Sequence, residues 1–417
     1  MSKFVIVGGN KLSGEVRVGG AKNSVLPIMA ATVLNGKLNV LHDIPKLSDV
    51  IIMTEILESI GCTVEREGTT LSIDSSGLNN YQIPENLVRE MRSSIIFLGA
   101  ILARCGKVVI SYPGGCEIGP RPIDLHLRSL REMGAKIVEK HGFLFCEAKE
   151  LKGTEIQLDF PSVGATENII LAAVFAKGTT TIRNAAREPE IIDLENYINA
   201  MGGKVSGAGS ATIYIEGVEE LNSVEHQIIP DRIVAGTYLA AAAITKGNIF
   251  LNNVIPEHIQ SILYKLKECG CHIVSKNNTI RLEAPEKLIA VDSIKTLPYP
   301  GFPTDMQSQM MALMTVSDGI SVFIETIFEN RFKHAEELTR MGASIKVDGR
   351  VAIVKGVKKL TGATVNAKDL RGGAALILAA LAAEGKTIVE HGKHIERGYD
   401  HLEEVLKSLG ANIKYLK

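Results

Sequence analysis

The chain has 417 residues, with 46 Lys and Arg against 47 Asp and Glu, a net charge of −1 and 45% hydrophobic residues. That balance implies no nucleic-acid or anionic-membrane partner, and no apolar run approaches the roughly 18 residues of a membrane span. Met1-Ser2-Lys3-Phe4 starts no signal peptide, and the six Cys (62, 105, 116, 146, 269, 271) lack disulfide-framework or zinc-ligand spacing, so a cytoplasmic, thiol-bearing protein is expected.

Along the chain, two glycine series keep step. In one, an apolar residue precedes Gly, two residues and Ile or Val; its members are Gly61, Gly134, Gly202, Gly270, Gly342 and Gly410, spaced 73, 68, 68, 72 and 68 residues apart. The other comprises Gly36, Gly106, Gly178, Gly247, Gly319 and Gly385, each closing an apolar stretch and opening a β-branched one. A shared period of about 70 residues means six copies of one supersecondary unit.

Each copy reads as an Ala- and Leu-rich helix stopped at its first Gly, a short strand, a polar loop, a second amphipathic helix and a further strand. Asp193 to Met201 and His401 to Leu409 are examples of that second helix. A two-domain α/β assembly with three units per domain fits this length better than one core. Gly9 to Val16 resembles Gly356 to Val365, so the chain starts midway through a unit completed at its C-terminus. Residues 21–229 are therefore expected as one domain, and residues 1–20 with 230–417 as the other.

The six helix starts, in chain order, are Gly20-Ala21-Lys22-Asn23, Met91-Arg92-Ser93-Ser94, Ser162 to Thr166, Pro230-Asp231-Arg232, Pro303-Thr304-Asp305 and Asp369-Leu370-Arg371. Asp231, Asp305 and Asp369 read equally well as N-caps. Lys22, Arg92, Arg232 and Arg371 place cations where the helix dipole disfavours them, which calls for a nearby ligand anion or acidic side chain. The loops after the strands carry a second charged set, including Arg187-Glu188-Pro189-Glu190, Phe328-Glu329-Asn330-Arg331 and His394-Ile395-Glu396-Arg397. Two triples of such loops facing one another would form a cleft between the domains.

One loop departs from the rest. Residues 113–122 hold three Gly and three Pro around Cys116 and Arg121. A glycine-rich segment between stiff ends suits a closing lid, spanning about residues 112–122. It is a poor place to bury a thiol, and a nearby arginine favours the thiolate.

Pro113-Gly114-Gly115-Cys116-x-Ile118-Gly119-x-Arg121-Pro122, Gly20-Ala21-Lys22-Asn23, Ala185 to Glu190, Phe302 to Gln307 and Phe328 to Arg331 resemble the UDP-N-acetylglucosamine 1-carboxyvinyltransferases of the enolpyruvyl transferase superfamily. The likeness runs the whole length. The shikimate-pathway branch shares the fold but lacks the Cys loop. The resemblance implies two similar domains, each of three βαβαββ units with buried parallel helices, an inside-out α/β barrel with the active site in the cleft.

It also implies enolpyruvyl transfer from phosphoenolpyruvate to UDP-N-acetylglucosamine, with no metal, cofactor or obligate protein partner, and alkylation of the loop Cys by fosfomycin. By this likeness Cys116 is the acid or covalent partner and Asp305 the base, with Lys22 and Arg397 completing the catalytic set. Phosphoenolpyruvate would be held by Lys22, Asn23, Arg92, Arg121, Asp369, Arg371 and Arg397. UDP-N-acetylglucosamine would meet Asn23, Arg92, Arg121, Pro122, Ile123, Asp124, Leu125, Ser162, Val163, Gly164, Asp305 and Ile327. Glu188, Glu190, Asp231 and Arg232 read as supporting or interdomain residues. Ser48 and Phe160 stand where many relatives carry Lys, a departure that bears on substrate affinity or marks one of two paralogues. A non-catalytic paralogue that binds UDP-sugar is the alternative reading.

Overall fold

The computed structural model describes residues 2–113 and 123–417. Residues 114–122, which include Cys116, Arg121 and Pro122, lie outside the described residues. Two compact units partition the rest: residues 2–19 with 230–417, and residues 20–113 with 123–229.

The unit pattern is clearest where it is uninterrupted. Strand Glu155–Gln157, helix Val163–Ala173, strand Thr179–Arg183, helix Pro189–Ala200 and the strands Lys204–Ser206 and Thr212–Glu216 follow one another as βαβαββ. Their sheet pairs Ile182 in parallel with Ile156 and antiparallel with Ile213, so one apolar stripe faces the helix. The same order recurs from Ser293–Lys295 through Val351–Lys355. Helix Pro189–Ala200 begins four residues before the expected Asp193, because Pro189 occupies the first turn, where its missing N–H costs nothing.

Strand Lys3–Val7 lies antiparallel to both Lys386–Glu390 and Asn412–Leu416. Strand Ser13–Arg17 runs parallel to Asn248–Asn252. In the other unit, Glu225–Gln227 supplies the parallel neighbour of Leu38–His42. Each unit thus closes on a strand displaced to the far end of its own sequence.

The first helix of each repeat is buried nearly all round. In Leu370–Ala382 only the terminal residues escape full burial, and the run Arg-Gly-Gly-Ala-Ala lets neighbouring segments approach closely. A Cβ on Gly373 would stand 2.7 Å from an Ile395 side-chain carbon. Helices without a polar face belong in a core, and each unit has its own.

The glycines of the first series share one backbone state. Gly61, Gly134, Gly202, Gly270, Gly342 and Gly410 have φ between 91° and 101°, where a side chain would be strained. The second series is less uniform. Only Gly106 directly caps its helix in the left-handed conformation. Helix Lys22–Ala31 stops five residues before Gly36, where the Thr32 hydroxyl donates to the Met29 carbonyl at 2.7 Å. Before Gly247 the positive φ belongs to Lys246, and Gly247 is required for another reason: its Cβ would fall 2.2 Å from the Leu12 carbonyl oxygen.

Candidate active site

In the unit containing residues 230–417, the short turn Thr304–Met306 presents Asp305. Asp305 is not an N-cap. Its Oδ1 accepts from Arg331 Nη2 at 2.8 Å and its Oδ2 from Arg371 Nη2 at 3.0 Å. Both arginines are buried, with side chains 3% and 4% exposed, whereas the Asp305 side chain is 29% exposed. Burial opposes charge on Arg371, yet Asp305, then Tyr399 and Asp231, favour it and push its pKa above the ordinary arginine range.

The surroundings fix this cluster. Asp369 caps helix Leu370–Ala382, accepting the N–H groups of Arg371 and Gly372 at 3.0 and 2.9 Å, which sets the start of the helix that carries Arg371. The Arg371 guanidinium lies 5.5 Å from the Tyr399 ring centroid. The Tyr399 hydroxyl is 2.9 Å from the Thr237 hydroxyl and accepts from Gln309 Nε2 at 3.1 Å. Gln309 Nε2 also donates to the Asp305 carbonyl at 2.9 Å. Arg397 is half-buried just after the short helix Lys393–Glu396, and Ile327 is half-buried in the loop before Arg331.

In the unit containing residues 20–229, Lys22 opens helix Lys22–Ala31 and pairs with Asp49 at 2.6 Å, with side-chain exposures of 10% and 0%. The anion called for at this helix start is therefore present as a side chain, as it is for Arg371. Asn23 is half-buried beside Lys22, and Arg92, also half-buried, opens the turn Arg92–Ile96. Arg232, in the other unit, stacks 5.6 Å from the Tyr299 ring centroid, and Asp231 caps its helix through Ile233 and Val234.

Ser162 caps helix Val163–Ala173, its Oγ accepting from Ala165 N at 3.3 Å. Val163 and Gly164 therefore lie at a helix N-terminus, whose unpaired N–H groups suit a diphosphate. Ile123 is buried at the start of helix Asp124–Glu132, Asp124 is exposed and Leu125 half-buried. His126, next in that helix, was not singled out by sequence. Its Nδ1 accepts from Asn168 Nδ2 at 2.7 Å. A Cβ on Gly164 would sit 3.2 Å from His126 Cε1, so the ring borders the helix start. Glu188 and Glu190 flank Pro189 at the start of helix Pro189–Ala200; burial, then the charges of Glu190 and Glu188, push the pKa of Glu167 upward. Phe160 is exposed, and Ser48 begins helix Ser48–Ser59.

Arg331 is also a residue whose role sequence reading missed. It stands in a charged loop and in the Phe328-to-Arg331 motif, but nothing local indicates which carboxylate it reaches.

Residues 6–406 match the family model described as EPSP synthase (3-phosphoshikimate 1-carboxyvinyltransferase), and the chain belongs to that family, the enolpyruvyl transferases. Within it, the chain is 55% identical over 413 residues to UDP-N-acetylglucosamine 1-carboxyvinyltransferase 2 of Caldanaerobacter subterraneus subsp. tengcongensis, covering 99% of each chain. It is likewise 55% identical to UDP-N-acetylglucosamine 1-carboxyvinyltransferase 1 of Symbiobacterium thermophilum, covering 99% of this chain and 94% of that one. Among solved structures, the enolpyruvyl transferase NikO of Streptomyces tendae superposes with a TM-score of 0.90 at 25% identity, over 99% of this chain and 98% of that one. EPSP synthase of Acinetobacter baumannii gives 0.79 at 18% identity over the full length of both, a likeness of fold.

Proposed function

We propose that the chain transfers the enolpyruvyl group of phosphoenolpyruvate to the 3-hydroxyl of UDP-N-acetylglucosamine, releasing phosphate. The reaction would serve as the first committed step of peptidoglycan precursor synthesis in the cytoplasm, supporting cell-wall growth and division. The observation that carries this reading is the Asp305 carboxylate, partly open to solvent while two buried guanidinium groups fix its oxygens. Relatives named for this reaction, at 52–55% identity over 99% or more of the chain, favour the UDP-sugar as acceptor.

In the proposed reaction Asp305 takes the proton of the sugar 3-hydroxyl as that oxygen bonds to C2 of phosphoenolpyruvate. The Cys116 thiol protonates C3, giving a tetrahedral adduct. The Cys116 thiolate then takes a proton back from C3, the C2–C3 double bond reforms, and the C2–O bond to phosphate breaks with its electron pair leaving on phosphate. Positioned proton transfer of this kind contributes about 10²–10⁴-fold.

Lys22, Arg92, Arg121, Arg371 and Arg397 would balance the carboxylate and phosphate, with Asn23 donating and Asp369 setting Arg371. A preorganised set of cations stabilises charge as it develops, without reorganisation. The uracil end would lie along Arg121, Pro122, Ile123, Asp124 and Leu125, the diphosphate at Ser162, Val163 and Gly164, and the sugar near Asp305 and Ile327. Proton NMR of a mixture with both substrates tests the reading: vinyl protons on a new UDP-sugar ether support it, and unchanged UDP-N-acetylglucosamine after long incubation counts against it. No observation favours the non-catalytic alternative.

A further inference from the structure

Glu325 is a carboxylate with only 1% exposure, and none of the proposed steps uses it. It follows strand Ile320–Ile324 and opens the loop that runs to Arg331. Its Oε1 accepts from the Thr296 hydroxyl at 2.8 Å and from the N–H groups of Ile327 and Phe328 at 2.8 and 3.2 Å. Its Oε2 accepts from the Thr304 hydroxyl at 2.9 Å. Removing a carboxylate from water is costly unless its lone pairs are satisfied, and here four donors satisfy them.

The geometry links two parts of the proposed site. Thr304 directly precedes Asp305, and Ile327 sits two residues after Glu325. At the far end of the same loop, Arg331 Nη2 reaches the Thr304 carbonyl at 3.4 Å and Asp305 Oδ1 at 2.8 Å. The turn bearing Asp305 is thus gripped from both ends of one loop, by Glu325 through the Thr304 side chain and by Arg331 through the backbone and carboxylate. The loop is itself anchored: Thr326 N–H donates to Thr296 Oγ1 at 2.9 Å, and Glu325 N–H to the Arg350 carbonyl at 2.9 Å.

We propose that Glu325 is a positioning residue for enolpyruvyl transfer, holding Asp305 and Ile327 in register by binding Thr304 and the Ile327 and Phe328 amides. This inference rests on Asp305 acting as the base. Catalytic geometry is sensitive on this scale, since a misplacement of about 1 Å can cost on the order of 10²-fold in rate. The carboxylate acts through its acceptor oxygens, so a carboxamide serves in part: its oxygen keeps the Oε1 bonds, and its NH₂ can donate to a reoriented Thr304 hydroxyl.

The test compares Glu325→Ala, Glu325→Gln and Thr304→Val in steady-state kinetics with phosphoenolpyruvate and UDP-N-acetylglucosamine, with melting curves for each and Asp305→Asn in parallel. Glu325→Ala is expected to lower kcat by about 10-fold or more, and Glu325→Gln to recover most of that loss. Thr304→Val, which keeps the Ile327 side of the tether, is expected to lower kcat with little change in the KM for the UDP-sugar. It also serves if Glu325→Ala does not fold. Folded Glu325→Ala or Thr304→Val enzyme with unchanged kcat would overturn the proposal, as would a Glu325→Gln variant no better than Glu325→Ala. If Asp305→Asn retains full turnover, it is the assignment of the base that fails.

Discussion

Arg371 and Asp305 meet through one Nη2–Oδ2 contact of 3.0 Å, with the guanidinium 4% and the carboxylate 29% exposed. The arginine is a buried cation whose charge leans on Asp305, while one side of the carboxylate stays reachable. Orientation and access are therefore divided between the two partners: burial holds the geometry, and the exposed side is the one the proposed reaction would use.

Asp305→Asn is expected to lower kcat by about 10²–10⁴-fold, because an amide cannot take the sugar proton. It also leaves Arg331 and Arg371 facing a neutral group, so the melting temperature should fall as well. Arg371→Lys is not a conservative change where the guanidinium also stacks on an aromatic ring, here Tyr399. Its KM for phosphoenolpyruvate is expected to rise by about 10-fold or more, roughly 1.4 kcal/mol. Steady-state kinetics on both variants checks each outcome.

The cysteines predict a single labelling site. Burial pushes the Cys62, Cys146, Cys269 and Cys271 thiols up to about 12, and raises that of the half-buried Cys105. Thiolates, not thiols, react with alkylating reagents. Iodoacetamide or fosfomycin at neutral pH should therefore modify Cys116 alone, and mass spectrometry of Cys116→Ser should show no adduct. That variant should lose most activity and keep its melting temperature. Its unfolding would instead mean that Cys116 is a structural, buried residue.

His334 gives the stability a pH dependence. Burial is the main cause that pushes its pKa down to about 4, with Asp369 opposing and Arg331 adding to the shift. A depressed folded-state pKa contributes stability that is complete above the ordinary value of about 6.5 and is lost as pH falls toward about 4. The loss is on the order of 2–3 kcal/mol by the end of that window. His334→Gln cannot titrate, so between pH 7 and pH 4.5 its melting temperature should fall less than that of the parent chain. Parallel curves for the two would assign the acid sensitivity elsewhere.

Much of this was legible in the residues. The glycines at Gly61, Gly134, Gly202, Gly270, Gly342 and Gly410 mark positions where backbone conformation excludes a side chain, and such positions show directly in sequence. Gly247 kept its place in the second series for a different cause, close approach to Leu12, which no local pattern reveals. Of the four cations at helix starts that called for an anion, Lys22 and Arg371 meet acidic side chains, Asp49 and Asp305. What stayed hidden was long-range. Asp305 looks like a cap in its own segment, and only folding brings Arg331 and Arg371, 26 and 66 residues away, onto its carboxylate. Glu325 was hidden for the same reason, because its significance lies in reaching Thr304 and not in its neighbours along the loop.

Phosphate release from phosphoenolpyruvate, measured with UDP-N-acetylglucosamine, with shikimate 3-phosphate and with neither, tests the central claim most directly. Release that requires the UDP-sugar and is absent with shikimate 3-phosphate is the predicted result. Release driven by shikimate 3-phosphate, or none with either acceptor while the UDP-sugar still binds, would contradict it.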